Sequence, residues 1–304
     1  MQYPPPTEHL DRDLLTQLSR RADGPGLRHL AGHLALLALT GAGIAAARGT
    51  LWLWPAMFVH GVVLIFLFMP LHECIHRTAF KTRALNEAVA FVIGVLILLP
   101  REYFRAFHFA HHRFTQDPER DPELAAPKPA TLGQWLWQVS GRGYWVSLGR
   151  GLVEHAFGRA PESFYKDERQ RRVVITEARI VLALYALVAV VSVAFASDVA
   201  LVYWVVPALL GQPALRLYLM AEHMLCPLVP DMLANTRTTY TNAAVRFLAW
   251  NMPFHAEHHA YPAVPFHRLP EVNRVLAPAL KTTAPGYLAV QRAILLSLRP
   301  GRGA

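Results

Sequence analysis

The chain has 304 residues, with 30 Lys and Arg against 21 Asp and Glu, 53% hydrophobic residues and 17% charged. A chain both apolar and basic is neither a disordered tail nor an ordinary soluble enzyme, in which about a quarter of the residues would be charged and the apolar ones dispersed by amphipathic periodicity. Two cysteines, Cys74 and Cys226, stand outside any CxxC pair and exclude a disulfide framework, and no basic-aromatic stripe points to nucleic acid.

The opening MQYPPPTEHLDRD has no basic segment leading into an apolar run, so no cleavable signal peptide is expected. Four stretches then carry no Lys, Arg, Asp or Glu: 30–47, 51–71, 180–196 and 199–215, of 18, 21, 17 and 17 residues. Their lengths are close to the roughly 20 residues with which a helix crosses a hydrocarbon core. The connectors are short, Arg48-Gly49-Thr50 and Ser197-Asp198, so the stretches pair into two antiparallel hairpins. Arg12, Arg20, Arg21 and Arg28 precede the first stretch, Arg48 alone lies in the connectors, and 72–179 and 216–304 are rich in Lys and Arg. That asymmetry places both termini in the cytoplasm, with a bacterial inner membrane as the expected location. Trp52, Trp54, Tyr203 and Trp204 suit an interfacial belt beside the connectors. A fifth apolar stretch, 88–99, is too short to span and is expected at the interface or part-way into the bilayer. The loop DPERDPELAAPKPA and a Trp/Arg-rich stretch after it complete the first polar segment. The expectation is one all-α membrane domain over 1–304, with four transmembrane helices under a cytosolic helical cap formed by 72–179 and 216–304.

Fifteen histidines include three tight clusters, and these carry the function. His72-Glu-Cys-Ile-His76 closes the second span, where a spacing of four places both imidazoles on one helical face. His108-Phe-Ala-His111-His112 and His255-Ala-Glu-His258-His259 each bring i, i+3 and i+4 to one side of a helix. A further histidine, His223, follows the last span. Neutral imidazoles suit iron, zinc or copper rather than calcium or magnesium, and eight or nine exceed what one metal needs. Two metals with open positions for dioxygen would use four or five each. Glu73, Glu222, Glu257 and Asp117 could accept hydrogen bonds from ligand imidazoles. His9, His29, His33, His60, His155 and His267 read as structural.

The boxes HECIH, HFAHH and HAEHH, in this order and position relative to the spans, resemble those of the membrane fatty acid desaturase superfamily, as does NMPFHAEHHAYPAVPFHRLP after the last span. The resemblance runs from about the second span to residue 270. It implies a dinuclear iron centre, dioxygen as co-substrate and oxidation of unactivated C–H bonds in a membrane lipid or acyl chain. By carry-over, His72, His76, His108, His111, His112, His255, His258 and His259 are metal ligands. An isolated histidine about thirty residues before the third box recurs in such proteins, and His223 stands 32 residues before His255, where a ninth ligand would fill out a shell of four. Relatives include desaturases, hydroxylases, ketolases and alkene-forming decarboxylases, so the boxes identify the cofactor better than the product.

HECIH also satisfies HExxH, the zinc-protease motif with Glu73 as general base, but a protease would leave two further clusters without a purpose. A histidine-rich metal reservoir is the non-catalytic alternative. No GxGxxG, CxxC cluster or fused haem domain supplies electrons, so an external donor, ferredoxin-like and acidic, is expected on the basic face.

Overall fold

The computed structural model describes residues 9–299; the first eight, on which the expectation of no cleavable leader partly bears, lie outside them. Helix α1 (Arg12–Leu18) is capped by the Asp11 carboxylate, which accepts from the Leu14 N–H. The apolar α2 (Asp23–Ala47) is tied down at its first residue, where Asp23 accepts from both the N–H and the hydroxyl of Thr82, each at 2.8 Å. Helices α3 (Leu53–Ile65) and α4 (Phe68–His76) form one nearly continuous rod. Pro70 has no N–H to offer the Phe66 carbonyl, which takes the Met69 N–H at 3.0 Å, so the rod tightens there without ending.

Helices α5 (Arg83–Leu96) and α6 (Arg101–Phe114) meet at 101°. Leu98 adopts a left-handed backbone, φ 56°, and Pro100 prevents α5 from running on into α6. The next helices are α7 (Leu132–Val139), α8 (Arg142–Ala156), α9 (Glu168–Ala194) and α10 (Val206–His223). The short α11 (Met232–Asn235), α12 (Ala243–Leu248), α13 (His255–Ala260), α14 (Leu269–Leu276) and α15 (Tyr287–Ser297) complete the chain. Two-residue strands β1 (Thr238–Thr239) and β2 (Thr283–Ala284) pair in parallel. The Thr239 N–H donates to the Pro253 carbonyl at 2.9 Å, which fixes the approach to α13.

Three helical rods among the described residues are long and apolar enough to cross a membrane: Asp23–Ala47, Leu53–His76 and Glu168–Ala194. The bent pair α5–α6 counts as a fourth only if both helices belong to one span. The apolar stretch 199–215, expected as one span with its helix running on to His223, is divided between two elements and is not among these three rods. A π-helical turn, Leu201–Val205, leads into α10, whose 18 residues include Arg216, Glu222 and His223. The Arg48 guanidinium meets the Asp198 carboxylate at 2.5 Å, so the two short connectors lie together at one end of the molecule. Helices α3 and α10 cross with their backbones in contact: a Cβ on Gly211 would sit 2.1 Å from the Gly61 carbonyl carbon. This crossing seats α10 beside the α3–α4 rod, with His223 at its C-terminal end facing His111, His255 and His259. Trp250, Met252, Phe266 and Leu269 are fully buried around the third box.

Candidate metal centre

Nine histidines converge, and they do so in two sets. The ligand nitrogens of His72, His76, His108, His112 and His258 all lie within 4.8 Å of one another, as do those of His111, His223 and His259. His255 joins the second set, its Nε2 lying 3.2 Å from His223 Nε2 and 3.1 Å from His259 Nε2. Helical spacing explains the division. On α6, His108 and His112 are one turn apart and serve the first set, whereas His111 is rotated about 100° from His112 and serves the second. On α13 the pattern is reversed: His255 and His259, four apart, face the second set and His258 the first. The sets adjoin where the His112 and His259 rings stack, their centroids 4.1 Å apart.

In the second set the outward nitrogens of His111, His223 and His259 have partners. His111 Nδ1 lies 2.9 Å from Asp121 Oδ1 and His223 Nδ1 3.3 Å from the Asn235 carbonyl, whereas His255 Nδ1 makes no hydrogen bond and has Glu222 Oε1 3.5 Å away. The acceptors at His111 and His223 assign the proton to Nδ1 and leave the Nε2 lone pairs facing the centre. His259 Nδ1 contacts the Thr115 hydroxyl, which itself donates to the His111 carbonyl. Asp121 is held by the N–H groups of Gln116 and Glu123. The last turn of α10 is capped as closely: Gln116 Nε2 and Lys128 Nζ donate to the His223 carbonyl at 2.7 and 3.2 Å, and Arg237 donates to the carbonyls of Ala221 and Met224.

In the first set, both nitrogens of His72, His112 and His258, and Nε2 of His76 and His108, are buried without a hydrogen-bond partner. Leaving so many imidazole nitrogens unpaired in an interior costs about 1–3 kcal/mol each, so the arrangement fits a bound transition metal. Burial holds His255, His258 and His259 well below the ordinary histidine pKa, in the neutral form that ligation requires.

The centre has two different sides. Phe68, Met69, Leu219 and Met252 line a cavity of about 50 Å³ that reaches His72, His108, His111 and His255 and also contains Glu123 and Glu222. His76 and His112, by contrast, are half-buried, and the exposed Phe109 packs 5.3 Å from the His76 ring with the exposed Arg113 one turn on.

Of the expected acidic partners, Glu222 lies beside a clustered imidazole, and Glu73 Oε1 stands 4.0 Å from His72 Nδ1. Glu257 instead accepts from Thr238 and Asn273, and Asp117 pairs with Arg120. Asp121, Asn235 and Thr115 were not singled out in the sequence. DPERDPEL holds two equivalent Asp-Pro steps, and only folding buries the second aspartate. The histidines read as structural lie away from the centre: His33 contacts the Val63 carbonyl, His60 links Thr40 to the Tyr203 carbonyl, and His155 pairs with Glu162.

The profile of the family described as fatty acid desaturase matches residues 48–290. The sphingolipid delta(4)-desaturase DES1 of Drosophila melanogaster is 26% identical over 83% of this chain and 74% of its own length. The sphingolipid delta(4)-desaturase/C4-monooxygenase DES2 of Rattus norvegicus is 25% identical, over 76% of this chain and 68% of its own. The dihydrorhizobitoxine desaturase of Bradyrhizobium elkanii is 24% identical, over 79% and 70%.

Proposed function

The chain belongs to the fatty acid desaturase family, and from that premise we propose that it is an integral-membrane, non-haem di-iron oxidase that desaturates a fatty acyl or other lipid-like chain with dioxygen. The observation that carries this reading is the division of nine imidazoles into a set of five and a set of four, with buried nitrogens that no protein group satisfies. The set of five exceeds the four donors that tetrahedral zinc takes, and sets of five and four would both leave open positions on six-coordinate iron. One iron is assigned to His72, His76, His108, His112 and His258, the other to His111, His223, His255 and His259. An iron pair bound there supplies dioxygen activation and hydrogen abstraction from an unactivated methylene.

The chain's own residues prepare that chemistry. Asp121 and the Asn235 carbonyl hold protons on the outward nitrogens of His111 and His223, which keeps their Nε2 lone pairs available. Phe68, Met69, Leu219 and Met252 give the centre an apolar side that seats methylenes and excludes water. The half-buried His76 and His112, with Phe109 and Arg113 beside them, suit contact with an acidic, ferredoxin-like carrier delivering one electron at a time. In the protease alternative Glu73 would act on a metal-bound water; here its Oε2 accepts from the Thr78 hydroxyl and the Phe266 N–H, and both histidines of that motif belong to a set of five.

Net removal of two hydrogens from the chain would give an alkene, and net insertion of one oxygen an alcohol. The name of the rat relative covers both outcomes. Expression in a host with a defined lipid pool, followed by mass spectrometry, decides between them. Loss of two hydrogens from one lipid class supports desaturation; gain of one oxygen moves the chain to hydroxylation. Metal analysis giving one zinc per chain and no iron would overturn the oxidase reading.

A further inference from the structure

Apart from the histidine sets, a second and larger cavity of about 310 Å³, lined by none of their residues, opens between the start of α6, the middle of α5 and the first turns of α9. Phe91, Val173 and Ile180 form its apolar wall, and Arg169 and Arg172 stand over it with Thr176 one turn on. The acids at this cavity are already engaged. Glu177 lies 3.0 Å from Arg101 and accepts from the Glu102 N–H, and Glu102 lies 2.7 Å from Arg105. Arg169 and Arg172, both exposed, reach no carboxylate among the described residues. Two unpaired guanidinium groups over an apolar wall favour an anion that also carries apolar matter.

The wall does not stop at the cavity. Val173, Ile180, Leu187 and Val190 are all exposed and fall on one stripe of α9, so the apolar surface runs from beneath the arginines along the length of the helix. A free phosphate would use the arginines and leave the stripe bare. We propose that this cavity is a binding site for one anionic phospholipid, its phosphate held by Arg169 and Arg172 and its acyl tails laid along α9. The proposal rests on α9 being a membrane span, and it is independent of the metal centre. The seat lies at the start of α6, six residues or about 9 Å of helix before His108, so an occupied site would brace the helix that carries the second histidine box.

The test uses the full chain purified in neutral detergent, stripped of lipid and titrated with phosphatidylglycerol, phosphatidylcholine or inorganic phosphate under native mass spectrometry. One phosphatidylglycerol should bind at least about tenfold more tightly than phosphatidylcholine, and Arg169→Gln with Arg172→Gln should weaken it by about 30-fold. Arg274→Gln, an exposed arginine on α14, should leave it unchanged. Ile180→Asn should weaken phosphatidylglycerol without creating affinity for free phosphate. Equal binding of the two lipids, or retention by the double variant, would overturn the proposal. Displacement of phosphatidylglycerol by inorganic phosphate at equal concentration would replace it with a soluble-anion site. A monodisperse size-exclusion profile and an unchanged unfolding temperature of the lipid-stripped double variant serve as the folding control, and Arg169→Gln or Arg172→Gln alone carries the test if the pair fails it. Release of the protein from membranes by carbonate would refute α9 as a span, an outcome separate from any loss of lipid selectivity.

Discussion

Replacing His223 by alanine removes one of four facing Nε2 groups, and a site left with three imidazoles, open to water, should no longer hold its metal. Iron per chain measured by mass spectrometry should fall to about half, with activity lost, and His223→Gln should retain part of the metal. Full iron content in His223→Ala would return the residue to a structural role. His155→Ala, which breaks only the Glu162 contact, should leave iron in place. Asp121 acts one step further out: Asp121→Asn puts a poorer acceptor at His111 Nδ1 and should weaken metal binding by about 10–100-fold in a chelator competition, and an unchanged affinity would mean that this bond sets no tautomer. The eight box histidines were legible because spacings of three and four align side chains on a helix whatever the tertiary fold, whereas His223, outside every box, was reached only through the family resemblance and the count of ligands. Which of them face one another was not. The split of HFAHH into 108 with 112 and 111 alone depends on how α6 is rotated against α4, α10 and α13, and one helix's spacing does not specify that rotation.

At the level of the elements, the crossing of α3 and α10 depends on two residues with no side chain. A Cβ on Gly61 would meet the Pro207 carbonyl oxygen, and one on Gly211 the Gly61 backbone. Gly211→Leu should therefore force the helices apart, destabilise the protein by about 3 kcal/mol or more and misplace His223. Thermal unfolding and iron content should fall together. Gly43→Ala on α2, where a Cβ meets nothing within 4 Å, should be tolerated, and an equal loss there would show that glycine matters by flexibility rather than by close approach. The long apolar helices were readable because composition alone separates a run without charge from its neighbours. The stretch 199–215 was harder to read: its residues give a π turn followed by a helix with Pro213 inside, which runs on past the stretch through Arg216 to His223. The short stretch 88–99 was expected at the interface or part-way into the bilayer, and it ends in the 101° turn into α6. The angle of that turn could not be read, because it is set by what α5 and α6 pack against.

For the molecule as a whole, the distribution of basic residues bears on orientation. Arg48 is the one Lys or Arg in the two short connectors, and it is paired with Asp198 across them, so that end of the molecule presents little free positive charge. The opposite end carries Arg12, Arg20, Arg21 and Arg28, together with the basic segments that hold the second and third histidine boxes. A bilayer with an anionic cytoplasmic leaflet and a positive-inside bias favours the second end in the cytoplasm. That is also the end where a soluble electron carrier would find His76 and His112 half-buried, so the direction of insertion and the supply of electrons make the same demand. Epitope tags at either terminus should be digested in inverted vesicles, and a tag inserted at Ser197 should be protected. Protection of a terminal tag would place the histidine sets on the far side of the membrane from cytoplasmic reductants, and the oxidase reading would then need a donor in that other compartment. Replacing Arg48 and Asp198 together by alanine should leave the orientation unchanged, since it removes the one Lys or Arg of that end and so deepens the asymmetry that directs insertion; an inverted pattern in that variant would show that the pair itself directs insertion.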